Sequence, residues 1–413
     1  MNYRHIAVIS AAALFPALCI AFGKGYNYAA ILLLLASLPC LITYETKWVT
    51  SDARLAIIAF STYFLSFVVS TIITGGELSN LDQPSRAVLA LPIFLALLRY
   101  PPKFSWLSTG ILCGSIVTGL VGAYFAVTFP GKRAFDGALG PAWIDGYMQI
   151  QSGNMAATLA MLSLCISLYF LRKKQWLLLG LAIIATGMGI TASILSGSRG
   201  GWLLIPLTFV YLLYVNRDLF TKKVLFAVLI GFTCFSAISW GNNSVSGRIN
   251  KSIANIQAYQ TNNKYTSVGI RLDLWKSAIY SFAESPIVGH GEEGRLEARK
   301  RHGKEGLINP RISRLPYHSH NQFLESMSVM GLIGLIPLLA FFYIPLKIFE
   351  KHRQRCESAT TQTLCQCGTV SIVMMIGYCL TQAYFNHTSG IIFYSVMTLI
   401  LLAACISPAR SSS

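Results

Sequence analysis

The chain has 413 residues, of which 54% are hydrophobic and only 12% charged; this charged share is about half that of soluble domains and excludes an ordinary water-soluble fold. The formal net charge of +17 would suggest nucleic acid in a soluble protein. Here much of the positive charge sits in short loops beside apolar blocks and no basic run is interleaved with aromatics, so no nucleic-acid partner is expected.

The apolar residues come in blocks long enough, at about 1.5 Å per residue, to cross a hydrocarbon core of roughly 30 Å. Twelve blocks read as membrane helices, near 5–22, 26–43, 54–74, 84–98, 105–129, 151–171, 175–195, 201–215, 224–241, 323–346, 368–385 and 389–406. Arg4 precedes the first block without a cleavage site after it, so that block is expected to remain as a helix. The chain thus divides into residues 1–241 with nine helices, a large polar loop at 242–322, and residues 323–413 with three helices and a tail.

Orientation follows from the short loops. Lys47 and Arg54, Arg99 and Lys103, Arg172 to Lys174, Arg217 with Lys222 and Lys223, and Lys347 to Arg355 alternate with poorer loops such as 75–83 and 386–388. The positive-inside rule places the basic set, and both termini, in the cytoplasm. Loop 242–322 then lies on the outer side despite twelve Lys/Arg against six Asp/Glu; long loops cross whatever their charge. It also holds four of the seven histidines, His290, His302, His318 and His320. A second basic pair, Lys132 and Arg133, lies in outer loop 130–150.

Seven of the ten cysteines lie inside apolar blocks, and Cys356, Cys365 and Cys367 fall in or beside a polar loop without partners at metal-ligand spacing. They read as small buried thiols.

Three segments carry chemistry. Ser196-Gly197-Ser198-Arg199-Gly200-Gly201-Trp202 joins two apolar blocks at the outer face. Its glycines let backbone approach a ligand, its serines add donors, and Arg199 offers a planar fork suited to phosphate; the bland alternative is an interfacial arginine in a tight turn. In 269–278, Arg271, Leu274, Trp275 and Ala278 follow helical spacing. This predicts an amphipathic helix on the bilayer surface anchored by Trp275, with a solvated Arg271–Asp273 or Arg271–Glu284 pair as the competing reading. His318-Ser319-His320-Asn321-Gln322-Phe323-Leu324-Glu325 lies where the loop re-enters the membrane. A histidine there suits a general base acting on a hydroxyl; a two-histidine metal site lacks a third ligand at an obvious spacing, and a simple helix start is the bland reading. Gly289 to Gly294 reads as a flexible turn, and the basic run Arg295–Arg314 as a lipid-headgroup contact or a solvated helix. No Walker motif is present, so direct use of ATP is not expected.

Together the Ser-x-Ser-Arg-Gly-x-Trp turn, the Arg271-x-x-x-Trp275 stretch and His320-Asn321-x-Phe323-Leu324, in that order around one large loop, resemble the O-antigen ligase and polymerase superfamily over residues 150–345. The resemblance implies an all-α polytopic, GT-C-like inner-membrane protein of about twelve spans with a periplasmic site. It implies a glycosyltransferase of lipopolysaccharide biosynthesis. The donor would be O-antigen on undecaprenyl diphosphate and the acceptor a sugar hydroxyl of lipid A-core, with no cofactor and no metal. Carried over, Arg199 and Arg271 would hold the diphosphate and His320 would take the acceptor proton. Ser196, Ser198, Gly200, Trp202, Trp275, His318 and Asn321 would contact substrate, with membrane lipids as surroundings. His318 could substitute as base. An O-antigen polymerase and a protein O-oligosaccharyltransferase are the nearest rival readings. A secondary transporter is a different class, which the scarcity of Asp, Glu and Lys within the spans disfavours.

Overall fold

The computed structural model describes residues 3–42, 45–220 and 266–407, and these are helical with turns and loops between. The expected helix at 224–241 and loop residues 242–265 lie outside them. An apolar run in lipid must satisfy its backbone internally, and the helix does this within one segment. Eight helices are long and apolar enough to cross a membrane. They are α3 (Ser51–Thr74), the joined segment Leu78–Arg99, α6 (Phe104–Thr128), α7 (Gln149–Arg172), α8 (Trp176–Ser196), α12 (Gln322–Arg355), α13 (Ala359–Thr381) and α14 (Thr388–Ile406). Three shorter apolar helical segments add to these: α1 (Tyr3–Leu18), α2 (Gly25–Leu41) and Arg199–Val215, a short 3-10 turn followed by α9 (Ile205–Val215). The segment Leu78–Arg99 contains α4 (Asp82–Leu89) and α5 (Leu91–Arg99).

Burial sorts the helices. Every residue of α14 from Ser389 to Ile406 is buried, and α7 and α13 are mostly buried beside it, whereas α3 and α8 leave Leu55, Ile58, Ile72, Ile183, Ile184 and Ile194 exposed. The first group is the centre and the second faces lipid. Small residues allow the close crossings. On α6, Gly110 and Gly114, four apart, press on the α1 backbone at Ala13 and Pro16, and Gly122 meets Ala192 on α8. Buried hydroxyls stitch the centre: Tyr378 donates to the Asn154 carbonyl at 2.8 Å and lies 2.9 Å from Thr158 Oγ1.

Two expectations are corrected. The polar loop at 347–367 is largely helical, because α12 runs to Arg355 and α13 begins at Ala359. Cys365 and Cys367 are therefore buried in a helix instead of lying beside a loop. The basic end is held by pairing, since Lys351 Nζ donates to both Asp52 oxygens at 2.8 Å and His352 Nε2 lies 2.8 Å from the same carboxylate.

The loop folds on the opposite end of the bundle as α10 (Ser267–Glu284) and α11 (Gly291–Lys304). Asp273, Leu274, Ser277, Ala278 and Ser281 of α10 are buried, so this helix packs into protein and does not simply float on a bilayer. Asp273 accepts from the Asn309 amide at 2.8 Å, and Glu284 pairs with Arg301, His302 and His290; neither acid pairs with Arg271. The expected flexible turn ends early, since Gly291–Gly294 form the first turn of α11. Its connection threads a kink in α12. Gly331 leaves helical geometry at φ 58°, and the amides of Leu332 and Ile333 bond to the carbonyls of Pro286 and Ile287 at 2.8 and 3.1 Å. A side chain on Gly331 would collide with the Ile287 backbone, so this close approach needs glycine.

Candidate active site

The ends of α6, α7, α8, α13 and α14 meet the folded loop at one face, and the three motif segments converge there. Residue Ser196 closes α8, Gly197 follows in the left-handed region at φ 67°, and Arg199–Trp202 makes a 3-10 turn. The serine hydroxyls turn inward: Ser196 Oγ donates to the Ser193 carbonyl and Ser198 Oγ to Asn154 Oδ1, both at 2.7 Å. Trp202 Nε1 donates to Ser193 Oγ at 3.1 Å. A side chain at Gly200 would strike Thr381 Oγ1, so the missing Cβ lets this turn rest on the end of α13. These small residues shape the turn, and Arg199 stays exposed above it.

A cavity of about 510 Å³ opens at this point, lined by Arg133, Arg199 and Arg271 with Trp275, Thr381 and Gln382. Its cationic wall draws on three separate segments. Arg133 also caps α8, donating from Nε to the Ser196 carbonyl at 2.6 Å, where a cation is favoured by the helix end. Arg271 is exposed to the cavity, and among the described residues it has no hydrogen-bond or ion-pair partner. The protein around it lowers its pKa by desolvation, yet a guanidinium stays charged. Such a fork without a protein partner suits an oxyanion supplied by a ligand.

The His-Ser-His segment sits against this cavity. Its central peptide is held on both sides: Ser319 N–H donates to Glu325 at 2.6 Å, and Trp275 Nε1 donates to the Ser319 carbonyl at 2.8 Å. Glu325 is buried and ion-paired to Arg295 at 3.2 Å, and Arg295 pairs with Glu292 at 2.7 Å. Arg299, also buried, donates to the Leu315 and Tyr317 carbonyls at 3.0 and 2.6 Å. The expected headgroup contact of the 295–314 run therefore does not apply to Arg295 and Arg299, which brace the loop from within. Held this way, His320 adopts φ 49°, a left-handed conformation costly for a non-glycine residue and characteristic of functional sites. Asn321 caps α12, its Oδ1 accepting from Phe323 and Leu324 amides at 3.0 and 3.1 Å while Nδ2 donates to the Leu380 carbonyl at 3.3 Å.

The two histidines differ in what their lone pairs can do. His318 Nδ1 accepts from the His320 amide at 3.1 Å and Gln382 Nε2 lies 3.3 Å from His318 Nε2, so both ring nitrogens of His318 already face protein donors. Burial, reinforced by neighbouring His320, lowers the His318 pKa to about 4. His320 Nδ1 lies 2.7 Å from Gln382 Oε1, a length that fits N–H···O, so Nδ1 holds the proton and Nε2 is left as a base. Burial lowers the His320 pKa too, partly offset by the Gln382 hydrogen bond, and Arg271 pushes it further down. Gln382 Nε2 faces His387 Nε2 at 3.5 Å.

Gln382, His387 and Arg133 escaped the sequence reading. Gln382 and His387 flank a short outer loop whose low charge made it look idle, and Arg133 looked like one of a surface pair. No spacing rule connects residues so far apart in the chain; a polar Gln-x4-His in an otherwise apolar stretch was the available signal.

A sequence model of the O-antigen ligase family matches residues 184–339, a span that holds Arg199, Arg271 and His320. The chain is 32% identical over 378 residues to an uncharacterized protein of Haemophilus influenzae, covering 90% of this chain and 91% of that one. It is 26% identical over 164 residues to an O-antigen ligase of Escherichia coli, 38% of each chain.

Proposed function

The chain belongs to the O-antigen ligase family, whose enzymes transfer lipid-linked glycans, and from that premise we propose that it moves O-antigen polysaccharide from undecaprenyl diphosphate to a sugar hydroxyl of lipid A-core. The observation that carries this reading is the joining of an arginine-lined cavity to a histidine with a free Nε2 lone pair through one side chain, Gln382. In the reaction His320 Nε2 takes the proton of the acceptor hydroxyl. The freed oxygen bonds to the anomeric carbon, and the bond from that carbon to the phosphate oxygen breaks. The electron pair leaves with the diphosphate, whose charge Arg199 and Arg271 stabilise. The diphosphate supplies the driving force, so neither ATP nor a metal takes part, and Trp275 and Glu325 hold the base in place.

The polypeptide crosses the bacterial inner membrane about twelve times in a GT-C-like arrangement, with both termini cytoplasmic and the site periplasmic. Incubating purified protein with lipid-linked glycan, lipid A-core and excess chelator tests this reading. Glycan-bearing lipid A-core is the expected product. Lengthening of the lipid-linked glycan in its place would assign the chain to polymerisation, and dependence on an added divalent ion would overturn the arginine account.

A further inference from the structure

The arginine cavity has a neighbour. A second cavity of about 280 Å³ shares Ile150 and Gln382 with it, so the two meet at the side chain that holds His320. Their chemistry differs. Three arginines line the first, while the second has no Lys or Arg in its wall and presents Asp136, Gln149, Gln151 and His387. A carboxylate beside two neutral amides repels phosphate and suits hydroxyls, each of which both donates and accepts. Gln151 is 1% exposed, and among the described residues neither of its amide atoms has a hydrogen-bond partner. Native folds rarely leave both ends of a buried amide unsatisfied, and a ligand that fills the role is one reason to do so.

Direction of attack separates the two cavities further. With the departing oxygen held by the arginines, the incoming oxygen must approach the anomeric carbon from the far side, away from the arginine wall. The second cavity meets the first at Gln382 and carries none of its arginines. We propose that it is the acceptor subsite, and that it takes an uncharged, hydroxyl-rich sugar ring hydrogen-bonded by Gln151, Gln149 and Asp136. This rests on the reading of the chain as a transferase acting on a lipid-diphosphate donor; the reacting proton still goes to His320 Nε2.

The test uses the purified full chain in detergent, with lipid A-core oligosaccharide and an undecaprenyl-diphosphate glycan as separate probes. Gln151→Leu keeps the side chain's bulk and breaks no hydrogen bond among the described residues. It should raise the acceptor KM about tenfold, the loss of roughly one well-made hydrogen bond, and weaken directly measured oligosaccharide binding equally, with donor binding kept. Arg271→Ala should do the reverse. Gln149→Ala, half-exposed at the wall, gives the same readout should Gln151→Leu misfold. Unchanged acceptor KM and binding in both variants, with the wild type active, would overturn the subsite and leave the transferase reading intact. A wild type that transfers nothing but loses oligosaccharide binding in the variants would overturn that reading and keep the subsite. A wild type that neither transfers nor binds oligosaccharide would overturn both.

Discussion

Nδ1 of His320 donates to Oε1 of Gln382 across 2.7 Å, which ties a histidine of the large loop to the short turn between α13 and α14 and settles which ring nitrogen keeps a lone pair. His320 closes the polar loop and Gln382 follows α13, 62 residues later in the chain. Their contact makes the tautomer of this ring a property of the assembled bundle.

His320→Ala is expected to lower turnover by about 100- to 10,000-fold with donor binding largely kept, the usual range for a lost general base. His318→Ala should lose less, because its lone pair is already engaged by the His320 amide. Burial lowers the His320 pKa, so the imidazole stays neutral and competent until pH falls through a value below its ordinary 6.5. The rate should therefore rise with pH through that point and then flatten. A variant that binds donor poorly but keeps its turnover and pH profile would make His320 a positioning group.

Gln382 can be used to move that profile. Gln382→Leu removes the acceptor for Nδ1–H, lets both tautomers compete, and should cost about tenfold, since ~1.4 kcal/mol of lost orientation is a factor of ten. Gln382→Glu places a carboxylate against the ring, favours the imidazolium, and should move the acid limb of the pH–rate profile upward. An unmoved limb in Gln382→Glu would mean that the 2.7 Å contact does not set the base.

Arg199→Ala and Arg271→Ala should each cut transfer by roughly 100-fold or more, in the range seen when one charge-stabilising donor is removed. Their lysine versions should also be poor, because an ammonium cannot reproduce the two-pronged contact. Transfer rates and protein levels of the four variants, measured side by side, check this. Wild-type rates in both lysine variants would argue for a simple point charge.

Breaking the brace beneath the loop should damage stability. Glu325→Leu leaves Arg295 with Glu292 alone and the buried Ser319 amide without its acceptor, and is expected to cost about 2–3 kcal/mol, read as a lower unfolding temperature in detergent. Trp275→Phe keeps an aromatic ring but loses the indole's second ring and its bond to the Ser319 carbonyl, and should cost about 1–2 kcal/mol while lowering transfer. Equal thermal stability of Glu325→Leu and wild type would remove this network from the account of the site.

Reporter tags at both termini and after Cys356 should read as cytoplasmic, and tags in 242–322 as periplasmic, as the alternation of basic loops requires. A cytoplasmic signal from 242–322 would put the site in the wrong compartment.

The amino-acid sequence by itself determined the membrane class, most helix positions, and the three motif segments with Arg199, Arg271 and His320 among them. Those features are written locally, in runs of apolar residues and in glycines and polar groups at short spacing. What only the tertiary structure decided is where the partners come from. Gln382, His387 and Arg133 reach the site from other hairpins, and α10 packs through Asp273 and Leu274 instead of lying free. Arg295 and Arg299 look like surface charge in the sequence but are buried beneath the His-Ser-His segment, where Glu325 and backbone carbonyls receive them. Local pattern records how a segment meets water or lipid. Which distant side chain completes its hydrogen bonds is set by how the helices cross.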